Sequence, residues 1–431
     1  MAKSVTVIRR QRMRLSKILA LPALAVVAML STNIARAQSY KMLYNFGRPP
    51  DGIMPCGTLI KSGSTFYGVT FYGGAKGDAD NTIGYGTIFA CNIDTGKTVV
   101  LHSFGGSADG AEPHGSLIKS GSFLYGTTVY GGAYSDDNRF IGGTIFAYNL
   151  DTGKEIVLHS FGHGTDGNIP CGSLIKLGSI LYGMTSGGGA YDSGKPFSGG
   201  TIFAYNISTN AETILYSFAG GKDGANPIGA LTESGSILYG VTSRGGAGRD
   251  GTIFAYNINT SMEKVLHSFG SSVTPPAGIG FLPRLRDGGV PAGSLIQSGS
   301  ILYGMTQFGG ANGGPNSKGT IFAYNIATGV ETVLYSFTGG SDGRNPVDSL
   351  IKSGSTLYGM TEYGGSGNEG TLFAYNLDNS TETVLLSFSF RINGGIPEGS
   401  LIESGSTLYG TTGIGGHRTN GTIFALTLPK P

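Results

Sequence analysis

The chain has no tryptophan and only three cysteines among its 431 residues. Without tryptophan it lacks the side chain that marks many sugar-stacking clefts. Three cysteines leave at least one unpaired, which excludes a scaffold held together by disulfides. Neither an H-E-x-x-H zinc motif nor a G-x-x-x-x-G-K-[ST] phosphate loop occurs in the chain. The common sequence signals of a zinc protease and of a P-loop nucleotide hydrolase are therefore missing.

The first 37 residues differ in composition from the rest of the chain. Five basic residues lie between positions 9 and 17, an apolar run covers residues 18–30, and Ala35-Arg36-Ala37 follows. This order predicts a secretory signal peptide, and the apolar run is too short to span a bilayer. We expect residues 1–37 to be removed during export to the periplasm or the extracellular space, so that Gln38 begins the mature chain.

Removal of this segment changes the sign of the net charge. The segment holds seven basic residues and no acidic residue, so the formal net charge falls from +2 for the whole chain to −5 for residues 38–431. A mildly acidic protein offers no electrostatic basis for binding nucleic acid or an anionic membrane. We expect no nucleic-acid partner and no transmembrane segment in the mature chain.

Glycine is abundant, at 76 residues, and it punctuates an internal repeat. A Leu-Tyr-Gly or Phe-Tyr-Gly segment recurs seven times, at intervals of 51 to 64 residues. Each repeat contains four short segments rich in β-branched and aromatic residues, typified by GSLIKSG (A), TLYGMT (B), GTIFAYN (C) and ETVLYSF (D). Four such segments joined by tight turns predict an antiparallel meander, the unit of a β-propeller blade.

The D segments are out of phase with the others. No D segment follows the seventh C segment, yet one stands ahead of the first A segment, at residues 40–46. An N-terminal strand that completes the last blade closes the ring and removes an exposed sheet edge. We therefore predict a single all-β domain over residues 38–431, a seven-bladed β-propeller of four-stranded antiparallel blades. The expected blades are residues 56–104, 114–161, 171–218, 228–269, 292–337, 347–388, and 398–426 together with 40–46.

The repeat also resembles a known family. LYGMTEYGGSGNEGTLFAYNL, preceded by SFTGGSDGRNPVDSLIKSGS, is similar to the Gloeo/Verruco (GloVer) tandem repeat of bacterial exported proteins. The similarity extends over residues 40–426, because all seven repeats carry the same signature. The resemblance implies export and a repetitive, propeller-like fold, and it implies no particular activity.

Loop lengths distinguish the two faces of the predicted propeller. In a meander, the B→C and D→A loops share one face, which we call the loop face. Loops on this face vary in length, and one D→A loop is extended by residues 270–286, whereas the C→D turns do not vary. Variable loops on a rigid scaffold are typical of a binding face, although neutral drift produces the same pattern.

One position near the start of strand A carries the residues with the most chemistry. Strand A is normally innermost, so we expect these seven residues, the channel ring, to surround the mouth of the central channel: Cys56, His114, Cys171, Ile228, Ala292, Val347 and Glu398. Two cysteines, a histidine and a carboxylate on consecutive blades are plausible ligands of a soft metal ion, and Cys56, His114, Cys171 and Glu398 form our metal hypothesis. Cysteine also packs as a small hydrophobic residue, which is the alternative interpretation.

Other side chains on the loop face are candidates for ligand binding. They are Tyr72, Tyr130, Tyr134, Arg139, Tyr191, Phe281, Arg284, Phe308 and Tyr363. The repeated Asp-Gly-x-x-Pro motif, by contrast, predicts turns capped by Asp rather than calcium sites. The histidines of strand D, at positions 102, 159 and 267, alternate with tyrosine and are expected to pack.

Three functions are compatible with these features. The first is an exported, non-catalytic propeller that binds a protein or a glycan through its loop face. The second is an extracellular lyase or glycosidase with its site at the channel mouth, for which Glu398 and His114 are the candidate acid and base, supported by Asp78, Asp136, Arg139 or Asp192. The third is a purely structural protein of the cell envelope.

Overall fold

The computed structural model describes residues 38–76, 83–106, 108–135, 142–192, 199–270, 287–311 and 318–429. Within these ranges the chain forms 29 β-strands and no helix, and therefore no helix there is available to cross a membrane. The strands coincide with the β-branched and aromatic segments, and Gly, Asn and Asp lie at the turns between them.

The strands have the following bounds in blades 1 to 7. Strand A covers Gly52–Ser62, Ala111–Pro113 with Ile118–Ser120, Ile175–Leu177, Ala225–Ser234, Gly289–Ser298, Arg344–Ser353 and Gly395–Ser404. Strand B covers Thr65–Gly73, Phe123–Tyr130, Ile180–Thr185, Ile237–Arg244, Ile301–Phe308, Thr356–Tyr363 and Thr407–Ile414. Strand C covers Thr87–Asn92, Thr144–Asn149, Thr201–Asn206, Thr252–Asn257, Thr320–Asn325, Thr371–Asn376 and Thr422–Thr427. Strand D covers Thr98–Ser103, Lys154–Ser160, Ala211–Ser217, Met262–Ser268, Val330–Ser336, Thr381–Ser387 and, for blade 7, Ser39–Asn45.

The ring closes through the N-terminal strand. Within each blade the strands pair in the order A-B-C-D, all antiparallel. In blade 7 the D strand is Ser39–Asn45, which pairs with Thr422–Thr427 from Ser39 opposite Thr427 to Asn45 opposite Thr422. Beyond the strand, the Phe46 N–H donates a 3.0 Å hydrogen bond to the Gly421 carbonyl. The predicted seven-bladed propeller with this closure is confirmed.

A pair of phenylalanines fills the core at every blade boundary. The Phe that follows strand D contacts the strand-C Phe of the next blade, with ring centroids 4.9–5.4 Å apart at all seven boundaries. All fourteen side chains are at most 1% exposed. Each strand-C ring also lies on the glycine of the Leu-Tyr-Gly segment, where a β-carbon at Gly68 would approach the Phe89 ring to 2.6 Å. This close contact explains why the segment keeps its glycine.

Hydrogen bonds between neighbouring blades join the inner strands around the channel. In six of the seven blades a backbone N–H donates to a side-chain hydroxyl of the next blade at 2.7–3.1 Å: Thr58 to Ser116, Ser116 to Ser173, Ala230 to Ser294, Ser294 to Ser349, Ser349 to Ser400 and Ser400 to Thr58. Blade 4 has alanine, Ala230, at the position of the accepting hydroxyl. The last bond links blade 7 to blade 1. These bonds fix the spacing of the blades where the channel residues are displayed.

Candidate functional site

Directly after the channel ring, neighbouring blades approach one another too closely for most side chains. In six blades the next residue is glycine, and we call these positions the glycine ring: Gly57, Gly115, Gly172, Gly229, Gly293 and Gly399. A β-carbon at Gly172 would lie 2.0 Å from the carbonyl oxygen of Gly229 in the following blade. The contact between backbones therefore leaves no room for a β-carbon at Gly172 and favours glycine at this position.

Blade 6 places an aspartate at this position. Asp348 has a φ of 55°, in the left-handed region that costs a residue with a β-carbon about 1–2 kcal/mol. Its Oδ2 accepts a 2.6 Å hydrogen bond from the N–H of Gly399 in blade 7. Because six other blades use glycine here, the fold does not require a carboxylate at this position, which points to a role in binding or chemistry.

The channel ring surrounds a cavity of about 540 Å³. All seven residues of the channel ring line it, so the predicted grouping of these positions around one channel mouth agrees with the structure. Strand B adds Gln307 from blade 5 and Glu362 from blade 6. The wall formed by blades 6 and 7 therefore carries three carboxyl groups, those of Asp348, Glu362 and Glu398. The next three blades around the ring add a cysteine in blade 1, a histidine in blade 2 and a cysteine in blade 3.

The carboxyl groups of this wall have perturbed acidities. Burial, followed by the nearby Asp348 and Glu362 carboxylates, raises the pKa of Glu398 to about 8. Burial also raises the pKa of Asp348, while His114 and the Gly399 N–H act in the opposite direction. At neutral pH Glu398 is therefore mainly a neutral acid that can donate a hydrogen bond. A β-carbon at Gly413 would lie 2.8 Å from Glu398 Oε1, so strand B of blade 7 makes room for this carboxyl group.

His114 and Cys56 of the channel ring contact backbone carbonyls of the following blade. The Cys56 thiol donates to the Pro113 carbonyl at 3.2 Å, and His114 Nδ1 lies 3.1 Å from the Cys171 carbonyl. Burial raises the pKa of the Cys56 thiol, and the Glu398 and Asp348 carboxylates raise it further. Burial likewise raises the pKa of the Cys171 thiol. Both groups are held as thiols, whereas metal ligation requires thiolates. Metal binding by Cys56, His114, Cys171 and Glu398 stays a prediction.

The predicted aromatic residues of the loop face that the structure describes fall at two positions of the repeat. Tyr72, Tyr130, Phe308 and Tyr363 lie at the end of strand B in four blades. Tyr134 and Tyr191 follow the Gly-Gly pairs of blades 2 and 3 and are 49% and 61% exposed. Two further contacts extend this surface: Tyr134 packs on His163 with centroids 4.9 Å apart, and Arg344 lies 5.1 Å from the Tyr363 ring. Arg139, Phe281, Arg284, Asp78 and Asp136 lie outside the described residues.

Outside the channel, each of five blade boundaries repeats a polar cluster. It combines the Tyr or His of strand D, the Asp of the following Asp-Gly turn, and a Glu near the start of strand D in the next blade. These boundary clusters are His102–Asp109–Glu155, His159–Asp166–Glu212, Tyr216–Asp223–Glu263, His267–Asp287–Glu331 and Tyr335–Asp342–Glu382. Burial, with a contribution from the neighbouring Asp, raises the pKa of each Glu to about 7, or about 8 at Glu331.

The Asp of each boundary shapes its turn. At all seven boundaries the Asp, or Asn393, accepts a 2.6–3.2 Å hydrogen bond from the N–H of the residue after the strand-D Phe. The same carboxylates accept the tyrosine hydroxyls at 2.9–3.1 Å or face the histidine Nε2 atoms at 3.2–3.3 Å. The turn-capping role predicted for Asp-Gly-x-x-Pro is confirmed. The strand-D histidines pack edge-on against the adjacent Phe, as expected, and in addition pair with Asp.

One boundary cluster brings three potential metal ligands together. At the boundary of blades 1 and 2, ligand atoms of His102, Asp109 and Glu155 all lie within 4.8 Å of one another. His102 Nε2 is 3.2 Å and Lys76 Nζ is 3.1 Å from Asp109 Oδ2. Among the described residues, no other group of three His, Cys, Asp or Glu side chains has its ligand atoms this close together.

Sequence reasoning missed Asp348, Glu362, Gln307 and the boundary glutamates. Asp348 could have been found from the sequence, because the position directly after the channel ring is glycine in six repeats and aspartate in blade 6. Glu362 and Gln307 stand at a strand-B position occupied elsewhere by Phe, Val, Ser or Gly. Comparing every position between repeats, rather than the channel ring alone, would have identified these residues.

Comparisons with solved structures show the fold. The chain is similar to an oligogalacturonate lyase in complex with manganese, with 14% identity, a TM-score of 0.53, and coverage of 91% of this chain and 93% of that one. It is also similar to the oligogalacturonate lyase of Vibrio parahaemolyticus, with 12% identity, a TM-score of 0.52, and coverage of 91% and 97%. At these identities the likeness supports the propeller architecture and no shared activity.

Sequence comparison identifies the family. No curated protein matches the chain. The model of the Gloeobacter/Verrucomicrobia repeat matches residues 30–197, 191–312 and 284–430, three overlapping segments that together span all seven blades. This agrees with the resemblance carried by the L-Y-G-x-T and G-T-[IVL]-F signatures. The chain is a member of the Gloeobacter/Verrucomicrobia repeat family.

Proposed function

We propose that the protein is an exported, non-catalytic propeller that binds a glycan on its loop face and receives one sugar unit in the channel-mouth cavity. The observation that carries this proposal is Asp348, a strained carboxylate in a ring of glycines, directed at the same cavity as Glu362 and Glu398. Because glycine occupies this position in the other six blades, we infer that the aspartate is there to bind a ligand.

The chemistry of the cavity fits the hydroxyl groups of a sugar. Asp348 and Glu362 offer acceptors, the neutral Glu398 offers a donor, and the amide of Gln307 offers both. Three carboxyl groups on one wall disfavour a sugar acid and favour a neutral or amine-bearing sugar. On the same face, Tyr134 and Tyr191 provide exposed rings for stacking against further sugar units.

A glycan array followed by titration calorimetry tests this proposal. We expect residues 38–431 to retain a neutral or amino-sugar glycan, and Asp348→Gly to weaken that binding at least tenfold. This variant introduces the residue of the other six blades, so it should fold. Gly299→Ala, in a turn on the opposite face, is the matched control and should bind as the wild type does. Absence of any retained glycan, or equal binding by Asp348→Gly, contradicts the proposal and leaves a protein partner as the next candidate.

The acidity of Glu398 favours a second candidate function, cleavage of an extracellular polysaccharide. A carboxyl group with a pKa of about 8 beside a second carboxylate and a histidine is a typical arrangement for general acid–base catalysis. In this case Glu398 would protonate the leaving group, and Asp348 or His114 would serve as base. A depolymerisation screen decides the matter, since turnover that is lost in Glu398→Gln while binding persists would replace the non-catalytic proposal.

A further inference from the structure

The boundary of blades 1 and 2 holds a compact set of metal-ligand side chains that the channel does not use. His102 and the Asp109 turn belong to the blade 1 side, and Glu155 comes from strand D of blade 2. His102 and Asp109 are partly buried, with 16% and 17% of each side chain exposed. Glu155 Oε1 is buried and has no hydrogen-bond partner within the described ranges. An oxygen in this situation loses its hydration without compensation, unless a proton or a cation supplies it.

A cationic side chain already lies at the cluster. Lys76 Nζ is 3.1 Å from Asp109 Oδ2, on the carboxylate that also accepts the Gly105 N–H at 2.7 Å and faces His102 Nε2 at 3.2 Å. The Lys76 side chain is 54% exposed. A long and exposed side chain is easily displaced, so Lys76 marks a cation position without closing it.

We propose that His102, Asp109 and Glu155 bind a first-row divalent cation, Zn²⁺ or Mn²⁺, which displaces the Lys76 ammonium and links blade 1 to blade 2. One imidazole nitrogen and two carboxylate oxygens are a ligand set that such ions accept, with water completing the coordination. The ligand atoms already lie within 4.8 Å of one another. Two tetrahedral or octahedral ligands at about 2.0–2.2 Å from an ion stand roughly 3–4 Å apart, so small side-chain adjustments suffice.

The chain supplies its own control for this site. Tyrosine fills the position of His102 in the clusters of Asp223 and Asp342, where its hydroxyl binds the same Asp at 3.1 Å. His102→Tyr therefore removes the nitrogen ligand and keeps an arrangement that the fold tolerates. Glu155→Thr is a second such variant, because blade 1 itself has Thr98 at the equivalent position of strand D.

The test uses residues 38–431 stripped with a chelator and titrated with Zn²⁺ and with Mn²⁺ by calorimetry, with a thermal unfolding scan in each state. We expect one ion per chain, a higher unfolding temperature with metal, and at least a tenfold weaker affinity in both His102→Tyr and Glu155→Thr. Lys76→Ala should bind several-fold more tightly than the wild type. Absence of binding by Lys76→Ala, or equal affinity in wild type and His102→Tyr, overturns the proposal.

A further variant distinguishes the boundary site from the metal site predicted at Cys56, His114, Cys171 and Glu398. An ion that Cys56→Ser/His114→Ala loses and His102→Tyr retains lies at the channel mouth, and this outcome also rejects the boundary site. If Cys56→Ser/His114→Ala still binds the ion and His102→Tyr does not, the result supports the boundary site. Glycan binding at the channel is measured independently, so failure of the metal site leaves the proposed function untouched.

Discussion

The blade boundaries and the channel mouth are built on opposite principles. At the boundaries the same residues recur, with a phenylalanine pair at all seven and a His or Tyr, Asp and Glu cluster at five. At the channel mouth the seven residues of the channel ring comprise six different amino-acid types. Repetition marks what every blade needs in order to pack. Divergence within the same repeat marks positions where the fold does not dictate one residue, and there the chain places Asp348, Glu362 and Glu398.

This contrast predicts that changes at the boundaries and in the glycine ring alter stability and leave glycan binding intact, while changes of the channel carboxyl groups do the reverse. The first and largest test is removal of residues 38–46. The deletion exposes the edge of Thr422–Thr427 and removes Phe46 from the core, a loss that alone costs about 3–5 kcal/mol. We expect the calorimetric unfolding temperature to fall by more than 10 °C and the single transition to broaden or split.

A peptide of residues 38–46 added in trans provides the control for that deletion. Because the strand pairs along a free sheet edge and adds side-chain contacts of Tyr40, Tyr44 and Phe46, the free peptide should bind the deleted protein and restore part of the unfolding temperature. A peptide with Phe46→Ala should restore less. An unchanged unfolding transition in the deletion variant would reject closure through this strand.

The second test compares two glycines of blade 5. Gly293, in the glycine ring, has a φ of 67°, and a β-carbon there would lie 2.0 Å from the backbone of Asp348. Gly299, in the A→B turn, has a φ of 60° and no atom within 4 Å of such a carbon. We expect Gly299→Ala to cost about 1 kcal/mol and Gly293→Ala about 3 kcal/mol in urea unfolding, because overpacking adds to the backbone strain. Equal costs would mean that the blades can separate slightly at the channel.

The same contrast explains what the sequence predicts and what it does not. The count of strands and the early D segment are local patterns, so blade number and closure follow from reading along the chain. The channel ring follows as well, because strand order places Cys56, His114 and Glu398 at one radius. The role of Asp348 depends on how closely two backbones approach, and the pairing of Glu155 with Asp109 depends on which strand lies across a boundary. Neither distance is encoded in a local pattern.

The third test concerns pH and the boundary glutamates that pair with tyrosine. The pKa values of Glu263 and Glu382 rise from 4.5 to about 7 on folding, chiefly through burial and the adjacent Asp. A raised carboxyl pKa means that the folded state binds the extra proton. The stabilisation is complete below pH 4.5 and is lost as the pH rises through about 7. We expect the free energy of unfolding to decrease between pH 5 and 8, as these glutamates ionise.

Glutamine in place of these two glutamates should remove part of that dependence. Each substitution mimics the protonated acid, so we expect a gain of about 1 kcal/mol per site at pH 8 and little change at pH 5, after allowance for partial solvent exposure. The exposed Glu233 provides the matched control, since Glu233→Gln should shift neither value. A stability that rises steadily from pH 5 to pH 8 in the wild type would contradict the assignment.

The smallest expected effect on stability is that of Asp348→Gly, although its expected effect on binding is large. Glycine relieves the positive φ, worth about 1–2 kcal/mol, and gives up the hydrogen bond to the Gly399 N–H, worth about 1 kcal/mol, so the net change should stay within about 1 kcal/mol. Loss of this carboxylate should also lower the pKa of Glu398 from about 8, measurable by NMR titration of the Glu side-chain carboxyls. Asp348→Asn separates the two causes, because it keeps the β-carbon and removes the charge. If Asp348→Gly destabilises the protein by 3 kcal/mol or more, the aspartate belongs with the boundary residues as part of the fold, and the division between boundary and channel fails at this residue.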